Sequence, residues 1–161
     1  MAVHFADDKY GVAVAAAGVV AVTSDGGETW RAGSVVTGTP VLNCVYVFND
    51  KRVQVGTATG LLYQSTNFGV TWTGVTGWVG SGIGQVRDID YINDFVGFIA
   101  HNTAAPLGTV LRTIDGGANW AALTTPVNSG LNAVKALTEN SCFAGGEANA
   151  GKALLLKVTE N

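Results

Sequence analysis

The side chains best suited to chemistry are few and scattered. Arg31, Arg52, Arg87 and Arg112 are the only arginines. Converging guanidinium forks could clamp a substrate carboxylate. Arg31 follows a tryptophan, Arg52 sits beside a turn, Arg87 opens a strand-like run and Arg112 ends one, so convergence is not expected. Asp88 and Asp90 fall on one face of a strand, with Asp94 at its end. Paired carboxylates can hold Ca²⁺, but solvation at a turn and strand end is the simpler account. His4 and His101 lie far apart, and no Cys or His spacing fits zinc. No metal, no cofactor and no catalytic residue is expected. The run Gly77-Trp-Val-Gly80-Ser-Gly82-Ile-Gly84 looks like a phosphate loop, yet it precedes a strand and lacks the lysine, so it reads as a connection. Cys44 and Cys142 fall on strands of non-adjacent repeats, which favours buried free thiols over a disulfide.

What must position these groups is a repeated phrase. Thr23-Ser-Asp25-Gly-Gly27-Glu-Thr-Trp30, Ser65-Thr-Asn67-Phe-Gly69-Val-Thr-Trp72 and Thr113-Ile-Asp115-Gly-Gly117-Ala-Asn-Trp120 share a hydroxyl, an Asp or Asn two on, a Gly two further and a Trp three after that. Each follows a strand-like run. The Asp or Asn can bond backbone two residues on, and Gly supplies positive φ, so the phrase is a turn. The Trp opens the next strand. Burying roughly 200 Å² of indole at ~25 cal/mol per Å² gives about 5 kcal/mol gross, against about 1 kcal/mol for each turn hydrogen bond. The indoles should dominate the energetics and the acidic or amide residue the geometry.

This phrase resembles the Asp-box, or bacterial neuraminidase repeat, of β-propellers such as sialidases. Ahead of the first copy, Phe5-Ala-Asp-Asp-Lys-Tyr-Gly11-Val-Ala-Val, then Gly18 and an apolar run, is similar to the repeats of photosystem II assembly and stability factors. The resemblance covers nearly the whole chain and implies an all-β β-propeller. In sialidases it would also imply an arginine cluster, a Tyr–Glu nucleophile pair and an acidic Asp, on the face opposite the boxes. The scattered arginines argue against that enzyme, and one fold hosts unrelated activities.

Aligning Phe5, Phe48, Ile92 and Leu137 gives steps of 43, 44 and 45 residues, the length of a four-stranded blade. The second repeat reads as strands at 41–48, 53–56, 61–65 and 72–75; the third at 86–92, 96–100, 109–113 and 120–123; the fourth at 131–137, 141–145 and 153–158, with Thr159-Glu160 where a fourth box would begin. The expectation is one domain over 1–161, with repeats of approximately 1–37, 38–80, 81–126 and 127–161. Three boxed repeats and a clipped fourth make either a propeller of about four blades or a partial propeller completed by a partner subunit. An unfinished blade edge invites strand addition.

Apolar residues reach 47%, charged residues only 13%, and the net charge is −3. That balance gives no electrostatic case for nucleic acid. The longest apolar run, Gly11 to Val22, is too short and too rich in Ala and Gly to span a bilayer. The N-terminus has Asp7-Asp8 and no basic start, so cytoplasmic synthesis without a signal peptide is expected. Length variation gathers in loops on one propeller face, around His101 to Gly108 and Gly146 to Gly151, with Trp78 in a blade connection. Variable loops on a rigid scaffold are where binding is added. The expected contact surface is Trp78, Arg87, His101, Asn102, Glu147 and Asn149. The expected role is a non-catalytic structural or interaction subunit of a larger assembly, itself as a homo-oligomer or with other proteins. Neutral Gly/Ala/Val/Thr/Asn-rich composition suggests a phage virion component (tail, fibre or capsid decoration). The alternatives are a carbohydrate-binding, lectin-like propeller with Trp78 as stacking platform, and an assembly-factor or chaperone-like propeller.

Overall fold

A computed structural model describes residues 1–77, 84–103, 107–123, 129–147 and 153–159. Alternating β-branched runs fold as antiparallel meanders, each strand pairing with the next in sequence. The first sheet holds β1 (Ala2–Phe5), β2 (Gly11–Val14), β3 (Val20–Thr23) and β4 (Arg31–Ala32). The second holds β5 (Leu42–Val47), β6 (Val53–Thr57), β7 (Leu62–Ser65) and β8 (Thr73–Gly74). The third holds β9 (Gln85–Tyr91), β10 (Gly97–Asn102), β11 (Gly108–Thr113) and β12 (Ala121–Leu123). The fourth has three strands among the described residues, β13 (Leu131–Thr138), β14 (Ser141–Glu147) and β15 (Ala153–Thr159). The strands fall within about two residues of the sequence-based ranges, except that the outermost strand begins after each box Trp rather than on it.

The sheets stack face to face in chain order, so the core is divided into three layers. Val12, Val14, Val20 and Val22 meet Val45, Val47, Val53 and Val55 between the first two sheets. Cys44 and Leu62 meet Ile89, Tyr91, Ile99 and Leu111 between the second and third. Phe98, Ala100 and Val110 meet Val134, Ala136, Cys142 and Val158 between the third and fourth. Central strands touch a neighbour on both faces, which is why β6 is buried at every position. Both cysteines are buried and free, and burial pushes the Cys142 thiol up to about 12.

Strand register shifts the repeat alignment by one residue. Phe5 pairs with Gly11, Val47 with Val53, Tyr91 with Gly97 and Ala136 with Cys142. The equivalent positions are therefore Phe5, Val47, Tyr91 and Ala136, not Phe5, Phe48, Ile92 and Leu137. A one-residue slip turns a side chain to the other face; Phe48 points onward to the third sheet, its ring against Tyr91 at 4.5 Å. The same register carries Val158, not Thr159, to the box hydroxyl position.

All three boxes close on the same framework of hydrogen bonds. The Thr23, Ser65 and Thr113 hydroxyls accept the N–H groups two and four residues on and donate to Asp25, Asn67 and Asp115. Those side chains accept the N–H of Thr29, Thr71 and Asn119. The Thr29 hydroxyl and N–H hold the Asp25 carboxyl down to about 2. Gly27, Gly69 and Gly117 have φ of +93°, +80° and +87°, the left-handed region that explains the glycine.

The indoles are not equivalent, against expectation. Trp120 is 3% exposed and Trp30 is 42% exposed, with Trp72 between them. Trp72 reaches the first sheet, its Nε1 donating to the Ser34 carbonyl at 3.1 Å. Trp30 lies on the back of the first sheet, where no sheet among the described residues covers it.

Candidate functional site

The inner strands β1, β5, β9 and β13 surround a central channel of about 420 Å³. Their free edges leave backbone N–H groups that need acceptors. His4 Nδ1 accepts the Val47 N–H at 3.1 Å. Asp88 accepts the Val134 N–H at 2.9 Å and Asp90 the Ala136 N–H at 2.8 Å. Asp90 also ion-pairs with Lys135 at 2.9 Å. The Asp88–Asp90 pair thus clasps the fourth sheet to the third; it is not merely a solvated strand end. Burial raises the Asp88 carboxyl despite its two N–H donors. Burial lowers His4, with the Asp90 charge opposing. Among the described residues no cluster of His, Cys, Asp or Glu could hold a metal ion.

Above the channel, a second cavity of about 380 Å³ opens on the face carrying the loops between second and third strands. Gln85, Arg87, Asn102, Asn132 and Glu147 line it. Gly84, with φ +82°, lets β9 begin hard against the Asn102 carbonyl, where a Cβ would collide. Asn102 Oδ1 accepts the Leu131 N–H at 2.7 Å, which fixes the start of β13 at the rim. Arg87 and Glu147 are exposed, so the cavity offers one guanidinium, one carboxylate and several amides. The box turns lie at the opposite end, tied to the hairpins joining first and second strands: Gly26 N–H to Lys9 O, Phe68 N–H to Lys51 O and Gly116 N–H to Phe95 O.

Of the six expected contact residues, the structure brings together Arg87, Asn102 and Glu147. His101 is a correction: it is buried on β10, not solvated in a loop, because it shares the face of Ile99 that packs on the second sheet. Trp78 and Asn149 lie outside the described residues. The arginines divide as expected: Arg52 stacks 3.4 Å over the Phe48 ring and donates to the Asp94 carbonyl at 2.7 Å, and Arg112 donates to the Glu139 carbonyl at 2.8 Å. Both clasp a sheet to its successor. The sequence reading missed this role, and missed Gln54, buried between sheets with its Oε1 accepting the Tyr91 hydroxyl at 2.7 Å.

Solved structures share this architecture. YCF48 bound to D1 peptide superposes with TM-score 0.71 at 18% identity, over 96% of this chain and 54% of that one. An ancestral GH74 enzyme gives 0.74 at 21% identity, over 97% of this chain and 22% of that one. YCF48 from Cyanidioschyzon merolae gives 0.55 at 16% identity, over 93% and 63%. The fold is that of a β-propeller. The four sheets are its blades, and the chain spans about half the length of the YCF48 propeller it matches. No family model and no curated protein matches the sequence. The blades form an arc: first packs on second, second on third, third on fourth, and no comparable packing joins fourth to first among the described residues.

Proposed function

We propose that this chain is a non-catalytic interaction propeller that takes a protein segment on its loop face, as a subunit or assembly factor of a larger complex. The observation that carries this reading is the cavity lined by Arg87, Asn102 and Glu147, whose alternating cation, carboxylate and amides suit the backbone and charged side chains of an extended peptide. The likeness to YCF48, solved with a peptide, supports it. Arg87 and Glu147 lie on the rim, free to act on a ligand without disturbing the core. A virion component is the narrower form of this reading and rests on the neutral composition alone.

Binding to an array of tiled peptides of varied charge tests it. Hits should weaken at least tenfold in the Arg87→Glu variant, with no change in melting temperature. Hits unaffected by both Arg87→Glu and Glu147→Lys would move binding off this face. Because GH74 enzymes, among them a xyloglucanase from Xanthomonas campestris, share the fold, release of reducing ends from xyloglucan is the matching activity assay; turnover would overturn the non-catalytic reading.

A further inference from the structure

Each blade has a back face toward its predecessor and a front face toward its successor, and the register identifies equivalent positions on each. Val45, Ile89 and Val134, on the backs of the second to fourth blades, are at most 6% exposed; their counterpart Val3 on the first is 59% exposed. Val20, Leu62 and Val110, on the fronts of the first three, are at most 2% exposed; their counterpart Leu155 on the fourth is 70% exposed. Phe143 repeats the pattern, 37% exposed where Val12, Gln54 and Phe98 are each 0%. The arc therefore ends in the two unmatched halves of the interface it makes three times internally.

The polar clasps are also half present. Arg112 on the front of the third blade donates to the carbonyl of Glu139, in the first hairpin of the fourth. The register puts Lys157 at the Arg112 position and Asp8 at the Glu139 position. A cation on the free front thus has an acidic hairpin as its counterpart on the free back. Likewise Tyr46 donates its hydroxyl to the Tyr91 carbonyl, and Lys135, at the Tyr46 position, would meet the Phe5 carbonyl.

We propose that two copies of this chain close head to tail into one ring of eight blades, the front of each fourth blade seated on the back of the other copy's first. The occupant is a second copy because each free face is complementary to the other, not to itself. The exposed parts of Val3, Phe5, Trp30, Leu137, Phe143 and Leu155 amount to roughly 500 Å² for each junction; two junctions bury about 1,000 Å² before backbone is counted, at the threshold for a specific interface. The assembly does not depend on what the loop face binds.

Light scattering on the full chain tests this. The wild type should have twice the 16.5 kDa chain mass. Leu155→Glu and Val3→Lys should each give a monomer of unchanged circular dichroism. Mixed together they should form dimers again, since one junction is then wild type on both sides and the other pairs the new Glu with the new Lys. A wild-type monomer, a trimer or an open polymer would overturn the ring. So would a Val3→Lys variant that stays dimeric, because its partner would be meeting front to front.

Discussion

Removing indoles one at a time measures the arc directly. Trp120 and Trp30 occupy the same box position, and each donates its Nε1–H to a carbonyl of its own turn, Gly117 and Gly27, at 3.1 Å. Each also has an aromatic partner 6.0 Å away edge-on, Tyr91 for Trp120 and Phe5 for Trp30. These two contacts cancel in the comparison, and burial is the large difference that remains. Trp120 hides nearly its whole surface, about 240 Å², worth about 6 kcal/mol gross. After side-chain entropy and the surface an alanine retains, Trp120→Ala should cost about 3–5 kcal/mol. Trp30 hides about 140 Å², so Trp30→Ala should cost about 1–2 kcal/mol. At about 2–4 °C per kcal/mol for a chain of this length, the melting temperatures should fall by roughly 6–20 °C and 2–8 °C. Thermal unfolding followed by circular dichroism reads both. Both variants are built on Leu155→Glu, which blocks association on the proposed ring, so that it does not add to the Trp30 result. Equal shifts, or a larger one for Trp30, would refute the uncovered first blade.

Two further perturbations follow from the clasps. Tyr91→Phe strips the donor from the buried Gln54 Oε1 and should cost about 1–3 kcal/mol in urea unfolding, although the ring contacts are kept; an unchanged midpoint would show that the amide finds another donor. His4 must stay neutral to accept the Val47 N–H, and its burial-lowered pKa means that the unfolded chain binds the proton first. Its contribution is present above the unfolded value of 6.5 and is lost as pH falls through the lowered folded value. The urea midpoint should therefore drop between about pH 7 and pH 5, and less so in His4→Asn, whose amide oxygen accepts without titrating. Equal slopes would place the titration elsewhere.

The architecture was legible because the box is a local object. Hydroxyl, Asp or Asn, and Gly all serve one turn within eight residues, and every partner lies at most four positions away. Strand ranges followed from runs of β-branched residues between such turns. The alignment slipped by one because Val47-Phe48 and Tyr91-Ile92 are both apolar pairs, and period-two patterning cannot choose between adjacent apolar residues. Trp30 was misjudged for a different reason: an identical local phrase says nothing about whether a neighbouring blade exists to cover it. His101 shows the limit on the site, where adjacency to a variable loop suggested solvent and strand alternation turned the ring inward.

The clasps were harder to read, since each joins residues 27 to 46 positions apart. Asp90 meets the Ala136 N–H 46 residues on, and Arg52 the Asp94 carbonyl 42 residues on. No local pattern announces such a pair, and two aspartates in a strand look like a cation site. The repeat did hold a signal once the register is right. His4, Tyr46, Asp90 and Lys135 occupy the same position on four inner strands, and every one is polar. A position polar in all four repeats, between apolar neighbours in each, answers a polar group that recurs, and the free edge of the following inner strand is that group. Three of the four have that strand in this chain and bond to it: His4 and Asp90 accept its N–H, Tyr46 donates to its carbonyl. Among the described residues no inner strand follows that of Lys135, which turns back to Asp90 instead, with most of its side chain still in solvent. That position bonds the next blade at each junction inside this chain, and on the proposed ring Lys135 would do so at the junction between copies.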